Sequence, residues 1–156
     1  MSWTEFHDRL RATLRALTDR SCLVVASPDD SGFLQFSVLD DVLCVEVSGR
    51  RFDASDGSDP AMAAAGWLPP TALHPQWSVV LSLPALTSEY ADLAERCVVA
   101  LRDVVGIEDP SVLSYRAWRD PDTQPSGVTW SPERVAALDR GENPLPLPHL
   151  GRVSQP

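Results

Sequence analysis

Apolar residues at the start of the chain recur at Trp3, Phe6, Leu10, Leu14 and Leu17. Steps of three, four, four and three put them on one stripe of a helix, with Asp8, Arg9, Arg11 and Arg15 opposite. Ser2, followed three positions later by Glu5, has the pattern of a capping box. The period then shortens to two. SCLVVAS, GFLQFSVL and VLCVEVS are rich in β-branched and aromatic residues, as strands are, and turn signals separate them. The first connection is Pro28-Asp29-Asp30-Ser31, with Gly32 beyond it; the second is the two-residue loop Asp40-Asp41. Such a loop has type I′ geometry, with positive φ at both positions, which Asp tolerates better than most residues.

That short loop sets a register. It pairs Leu39 with Val42, Val38 with Leu43, Phe36 with Val45 and Leu34 with Val47. The first hairpin pairs Ala26 with Phe33, Val25 with Leu34 and Leu23 with Phe36. The two hairpins agree on one wholly apolar face of Leu23, Val25, Leu34, Phe36, Val38, Leu43, Val45 and Val47, which must meet the helices. The other face is mixed, with Val24, Ala26, Phe33, Gln35, Ser37, Cys44 and Glu46, and no helix is assigned to cover it. A slip of one residue would bury Gln35 and Glu46, so the register is well specified.

Further along, SGRRFDASDGSDP reads as a polar loop, and Asp59 caps a short helix with Pro60 at its first position, ending near Gly66. LPPTALHP is a connector, and Trp77–Leu83 a fourth strand. Tyr90, Leu93, Ala94, Cys97, Leu101 and Val104 form the stripe of a long helix over about 88–105, with Gly106 at its C-terminal cap. PSVLSYRAW reads as one helical turn or a short edge strand, and Ser131-Pro132 begins another short helix. The tail GENPLPLPHLGRVSQP is proline-rich, which predicts an extended or disordered segment. The expected organisation is an α+β domain over 1–118, an extension with a short helix over 119–140 and the tail over 141–156. Its sheet would have four antiparallel strands, a meander plus one, packed by the N-terminal and the long C-terminal helix.

Composition narrows the function. The 156 residues carry 13 basic and 22 acidic side chains for a formal charge of −9, and every basic residue is Arg. An acidic field repels phosphate backbones, which argues against nucleic acid and anionic membranes as partners. No apolar run approaches the roughly 20 residues of a membrane span. The polar start lacks the plan of a signal peptide, so the expected location is the cytoplasm. Cys22, Cys44 and Cys97 sit in apolar stretches without CxxC spacing, as small hydrophobes do.

Candidate chemistry is sparse. His7, His74 and His149 are scattered and have no ligand spacing, so no metal is expected. Serine lacks a GxSxG turn, and a GxxxxGK[ST] phosphate loop is impossible without Lys. The pairs Asp29/Asp30 and Asp40/Asp41 lie at hairpin tips, where Asp serves the turn. Glu46 lies mid-strand on the mixed face, most simply facing solvent. Of the tryptophans Trp3, Trp67, Trp77, Trp118 and Trp130, the pair Trp118 and Trp130 falls outside the main pattern and is expected to be partly exposed. Neither catalytic residues nor a cofactor is expected.

The order of helix, three-strand meander, short helix, strand and long helix resembles the type III secretion chaperone and YbjN-like fold. In particular the chain looks like the actinobacterial TY-Chap group of peptide-binding chaperone-like domains. The residues that carry it are WTEFHDRLRATLRAL, FLQFSV, VLCVEVSG, GWLPP, QWSVVL and EYADLAERCVVALRDVVGI with PSVLSY after it, across roughly the first 118 residues. The resemblance implies an α+β sandwich, often a homodimer, that holds an extended client polypeptide such as a secretion substrate. One departure stands out: the related chaperones carry two strands between the second and third helices, and only Trp77–Leu83 is visible here. The resemblance transfers no binding residue. The candidates Phe33, Gln35, Cys44 and Glu46 come from the register, with an exposed strand edge as a further place for a client strand. Two other readings remain at this point: a structural or regulatory subunit acting by self-association or with a fixed partner, and a small-molecule binder.

Overall fold

The computed structural model describes residues 1–53 and 59–151. Helix α1 (Trp3–Ala16) starts where Ser2 accepts the Glu5 N–H at 3.1 Å. Only half of the capping box forms, because the Glu5 carboxylate turns to Arg9 one helical turn on, at 2.7 Å. Phe6, Leu10 and Leu14 are buried, as their spacing requires.

Strands β1 (Ser21–Ala26), β2 (Phe33–Leu39) and β3 (Val42–Ser48) form the meander. The observed pairs include Leu23 with Phe36, Val25 with Leu34, Phe36 with Val45 and Leu39 with Val42, as the hairpin loops predict. Asp40 and Asp41 take φ of 50° and 62°, the positive values that a type I′ turn demands. After a 3₁₀ turn that buries Phe52, Asp59 caps α2 (Pro60–Ala64), accepting from the N–H groups of Ala61 and Met62. Within the polar loop, 54–58 lie outside the described residues. Strand β4 (Trp77–Ser82) follows. Helix α3 (Thr87–Val99) has the Glu89 carboxylate on the Leu86 N–H at 2.6 Å. It continues as a π-type turn over Ala100–Val105 and ends at Gly106 in the left-handed region.

The sheet has five strands, not four, in the order β4-β3-β2-β1-β5. The additional strand β5 (Ser114–Arg119) follows one 3₁₀ turn (Pro110–Val112), so PSVLSYRAW is both a helical turn and an edge strand. Its partner β1 lies far away in sequence, which no local pattern could reveal. Between α2 and α3, Leu68 forms a single bridge to Ser78 on the outside of β4. One face of this sheet carries Leu23, Val25, Leu34, Phe36, Val45 and Val47, each with 0% exposure, and packs with α1, α2 and α3 into one core. Burying a side chain of that size stabilises by about 1.5–3 kcal/mol, so this face specifies the fold.

Beyond β5, a short helix α4 (Pro132–Ala136) stands on the surface. For the tail the composition predicts an extended or disordered segment; 141–151 pack against the domain, and 152–156 lie outside the described residues. Leu147 and Leu150 are 6% and 4% exposed, within the core. The tail is tied at its root by Asp139, which accepts from Arg20 at 2.9 Å and from Arg119 at 2.7 Å. The Arg119 hydrogen bond, then the Gly141 N–H, hold the Asp139 carboxyl down to about 2. A carboxyl whose folded value lies below its unfolded one stabilises the fold above the unfolded value near ~3.9 and loses that effect as pH falls. Thermal unfolding midpoints of wild type and Asp139→Asn are expected to differ above about pH 4 and to converge towards about pH 2.

Candidate functional site

The opposite sheet face is open. Every outward side chain of β1, β2 and β3 is at least partly exposed. Strand pairing sets these side chains in rows across the sheet. One row runs Val80, Cys44, Ser37, Cys22, Trp118, and is apolar apart from its central serine. The next runs Ser78, Glu46, Gln35, Val24, Arg116, with an acid towards one side and a base at the other. A third runs Ser48, Phe33, Ala26, Ser114. Towards the β2–β3 turn, Leu39 and Val42 pair beside Ser82 and are exposed.

All four residues named from the register lie on this face: Cys44 in the apolar row, Glu46 and Gln35 side by side in the polar row, and Phe33 in the third. Three further members escaped the sequence reading. Trp118 and Arg116 come from β5, and the Arg116 guanidinium lies 5.2 Å from the Trp118 ring centroid, in cation–π range. Their signal was the alternation of Tyr115 and Ala117 (both buried) with Ser114, Arg116 and Trp118. Val80, 52% exposed, is the third. Trp118 and Trp130 are both half-buried, and Trp130 is stacked by Arg134 at 4.2 Å.

The rim of this face at β4 is an unpaired strand edge. The Leu68–Ser78 bridge exchanges two hydrogen bonds, of 2.9 and 3.1 Å, on the side away from β3. Backbone groups alternate sides along a strand, so those of Val80 and Ser82 also point outward. Among the described residues nothing pairs with them. At the opposite edge the chain covers itself: Arg119 and Glu142 exchange hydrogen bonds of 2.8 and 3.0 Å.

Of the cysteines only Cys97 is fully buried; Cys22 and Cys44 are half-exposed on the open face. Burial pushes both thiols up, helped by the charge of Asp120 for Cys22 and of Glu46 for Cys44. A raised thiol is a poor nucleophile at neutral pH. His7 lies on α1, with one ring nitrogen 3.2 Å from Asp8 and the other 3.2 Å from the Ala91 carbonyl; His149 lies in the tail and His74 in the connector. Among the described residues no three His, Cys, Asp or Glu side chains gather as a metal site, and no helix is long and apolar enough to cross a membrane. The open face can therefore offer apolar contact, a stacked cation and backbone hydrogen bonds: the chemistry of holding a chain.

No curated protein and no solved structure matches this sequence. A family model does, over residues 1–119, which takes in α1, the whole five-stranded sheet and α3. That family is described as T3SS (YopN, CesT) and YbjN peptide-binding chaperone 3, or TY-Chap3, and by this match the chain belongs to it.

Proposed function

We propose that this protein is a non-enzymatic, chaperone-like module that holds an extended client segment on the open sheet face, entering at the β4 edge. One observation carries the reading: a partly exposed, half-apolar sheet face borders a strand whose outward N–H and C=O groups at Val80 and Ser82 have no partner among the described residues. A client strand added there gains main-chain hydrogen bonds and lays every second side chain on the open face. Its apolar residues would meet Val80, and a client that continues across the open face would meet Cys44 and Glu46 on β3 and then Gln35 and Phe33 on β2. A protein or peptide client, secretion substrates among them, fits this chemistry; so does work in the cytoplasm. Membership of a peptide-binding family supports the class of ligand.

The same edge could pair with a second copy, giving a homodimer with a continuous sheet and a structural or regulatory role. The two readings separate experimentally. Val80→Pro removes an outward N–H that no described residue uses, a change that sheet edges tolerate. We expect the variant to keep its unfolding midpoint yet bind library-selected peptides about tenfold more weakly or worse. Phe33→Asp should do the same through the face. If both variants bind selected peptides as wild type does, the reading fails. If light scattering instead shows a dimer that only Val80→Pro dissociates, the edge serves self-association.

A further inference from the structure

The tail itself is seated as a peptide ligand would be. From its tie at Asp139 it runs beside β5, where Glu142 exchanges two backbone hydrogen bonds with Arg119 and the Leu145 N–H donates to the Ala117 carbonyl at 2.9 Å. Leu147 and Leu150 then enter the core and Leu145 packs on it. Pro144, Pro146 and Pro148 have no N–H to donate, and Leu147 to Gly151 close a turn, so the hold of the segment depends on few hydrogen bonds to the domain and on three leucines. The fit is incomplete: a cavity of about 190 Å³ remains between the tail and the domain, bounded there by Thr13, Leu17, Ser21 and Arg119. Everything on the domain side of this groove falls within residues 1–119, whereas the tail lies outside the family match.

We propose that Glu142–Leu150 is an intramolecular ligand filling a second peptide groove, between α1 and β5, and that client segments of the same chemistry exchange with it. That chemistry is a proline-spaced segment with leucines two and then three positions apart and no lysine or arginine. The proposal rests on the peptide-binding reading for its exchange partner, but uses a different surface. The device is a strap. While it is seated, a client's apparent affinity falls by the fraction of molecules with an open groove. The Asp139 tie precedes the exchanged residues, so the strap can leave while its root stays bound. A tethered root also returns the tail at high effective concentration.

The test uses the full chain and, as probe, a fluorescein-labelled synthetic peptide with the sequence of residues 142–151. Leu147→Asp with Leu150→Asp unseats the strap. This double variant should bind the probe about tenfold more tightly than wild type does, and a probe with Asp in place of Leu147 and Leu150 should bind neither protein. Phe33→Asp and Val80→Pro should leave probe binding unchanged, so failure here and failure at the open face are distinguishable. A folded double variant that binds the probe no better than wild type overturns the proposal. If the double variant does not fold, amide exchange in wild type decides. Excess unlabelled peptide should deprotect Glu142 and Leu145 while β1 stays protected; exchange of those two amides only on global unfolding overturns the strap. Wild type that dimerises by swapping tails would overturn the assignment to a client, by making a second copy the occupant.

Discussion

Gly49→Ala is expected to destabilise the protein by about 3 kcal/mol or more, and Gly32→Ala by less. Gly49 ends the meander with φ 122° and ψ 174°, a conformation that residues with a Cβ rarely adopt. A Cβ there would stand 2.7 Å from the Gly32 Cα, 2.8 Å from the Ser31 carbonyl oxygen and 2.9 Å from the Gly32 N. All three are backbone atoms, so relief requires the two loops to separate. Separation would break the hydrogen bonds from Arg50 and Arg51 N–H to the Asp30 and Ser31 carbonyls, both 3.0 Å. The backbone conformation alone accounts for about 1–3 kcal/mol, and the lost hydrogen bonds for about 0.5–1.5 kcal/mol each. At Gly32 the added Cβ meets the Val105 side chain at 2.6 Å, and a side chain can turn away. Urea unfolding of both variants checks the order; equal losses would contradict it.

Two phenylalanines three residues apart should answer to different measurements. Phe36, with 0% exposure, sits between Leu23 and Val45 in the core, and Phe36→Ala should cost about 3–5 kcal/mol. For a chain of this length that is a fall in Tm of roughly 6–20 °C. Phe33 lies on the open face between Ala26 and Ser48, half-exposed, and Phe33→Ala should cost no more than about 1 kcal/mol. Peptide affinity should move the other way. Phe33→Ala is expected to weaken binding about tenfold, as truncation of an aromatic interface residue does, and Phe36→Ala to weaken it only as far as it unfolds the protein. Calorimetry for Tm and fluorescence anisotropy for binding separate the two.

This contrast also shows what could be read from the chain and what could not. The meander's register was legible because both of its hairpins are local and a slip would bury Gln35 and Glu46. For that reason the sequence pattern alone puts Phe33, Gln35, Cys44 and Glu46 on one face. Strand β5 was not legible in the same way. Ser114–Arg119 alternates correctly, but its partner β1 lies at the other end of the domain, and pairing at that separation leaves no local mark. Trp118 and Arg116 were missed with it. The packing of the tail was not legible for a related reason: its prolines read as an extended or disordered segment, while the burial of Leu147 and Leu150 depends on a groove that the rest of the fold creates. The pairing outside β4 is one bridge at Leu68, too short for any periodicity to show. That shortness is what leaves Val80 and Ser82 open.

Amide hydrogen exchange of wild type, with and without a saturating library-selected peptide, tests the central claim most directly. The Val80 and Ser82 amides, without a partner among the described residues of the free protein, should exchange fast alone and become protected when peptide is bound. Protection of β1 and β2, already paired on both sides, should barely change. If those two edge amides stay fast under saturating peptide while protection appears elsewhere, the client is not held at the β4 edge and the account is wrong.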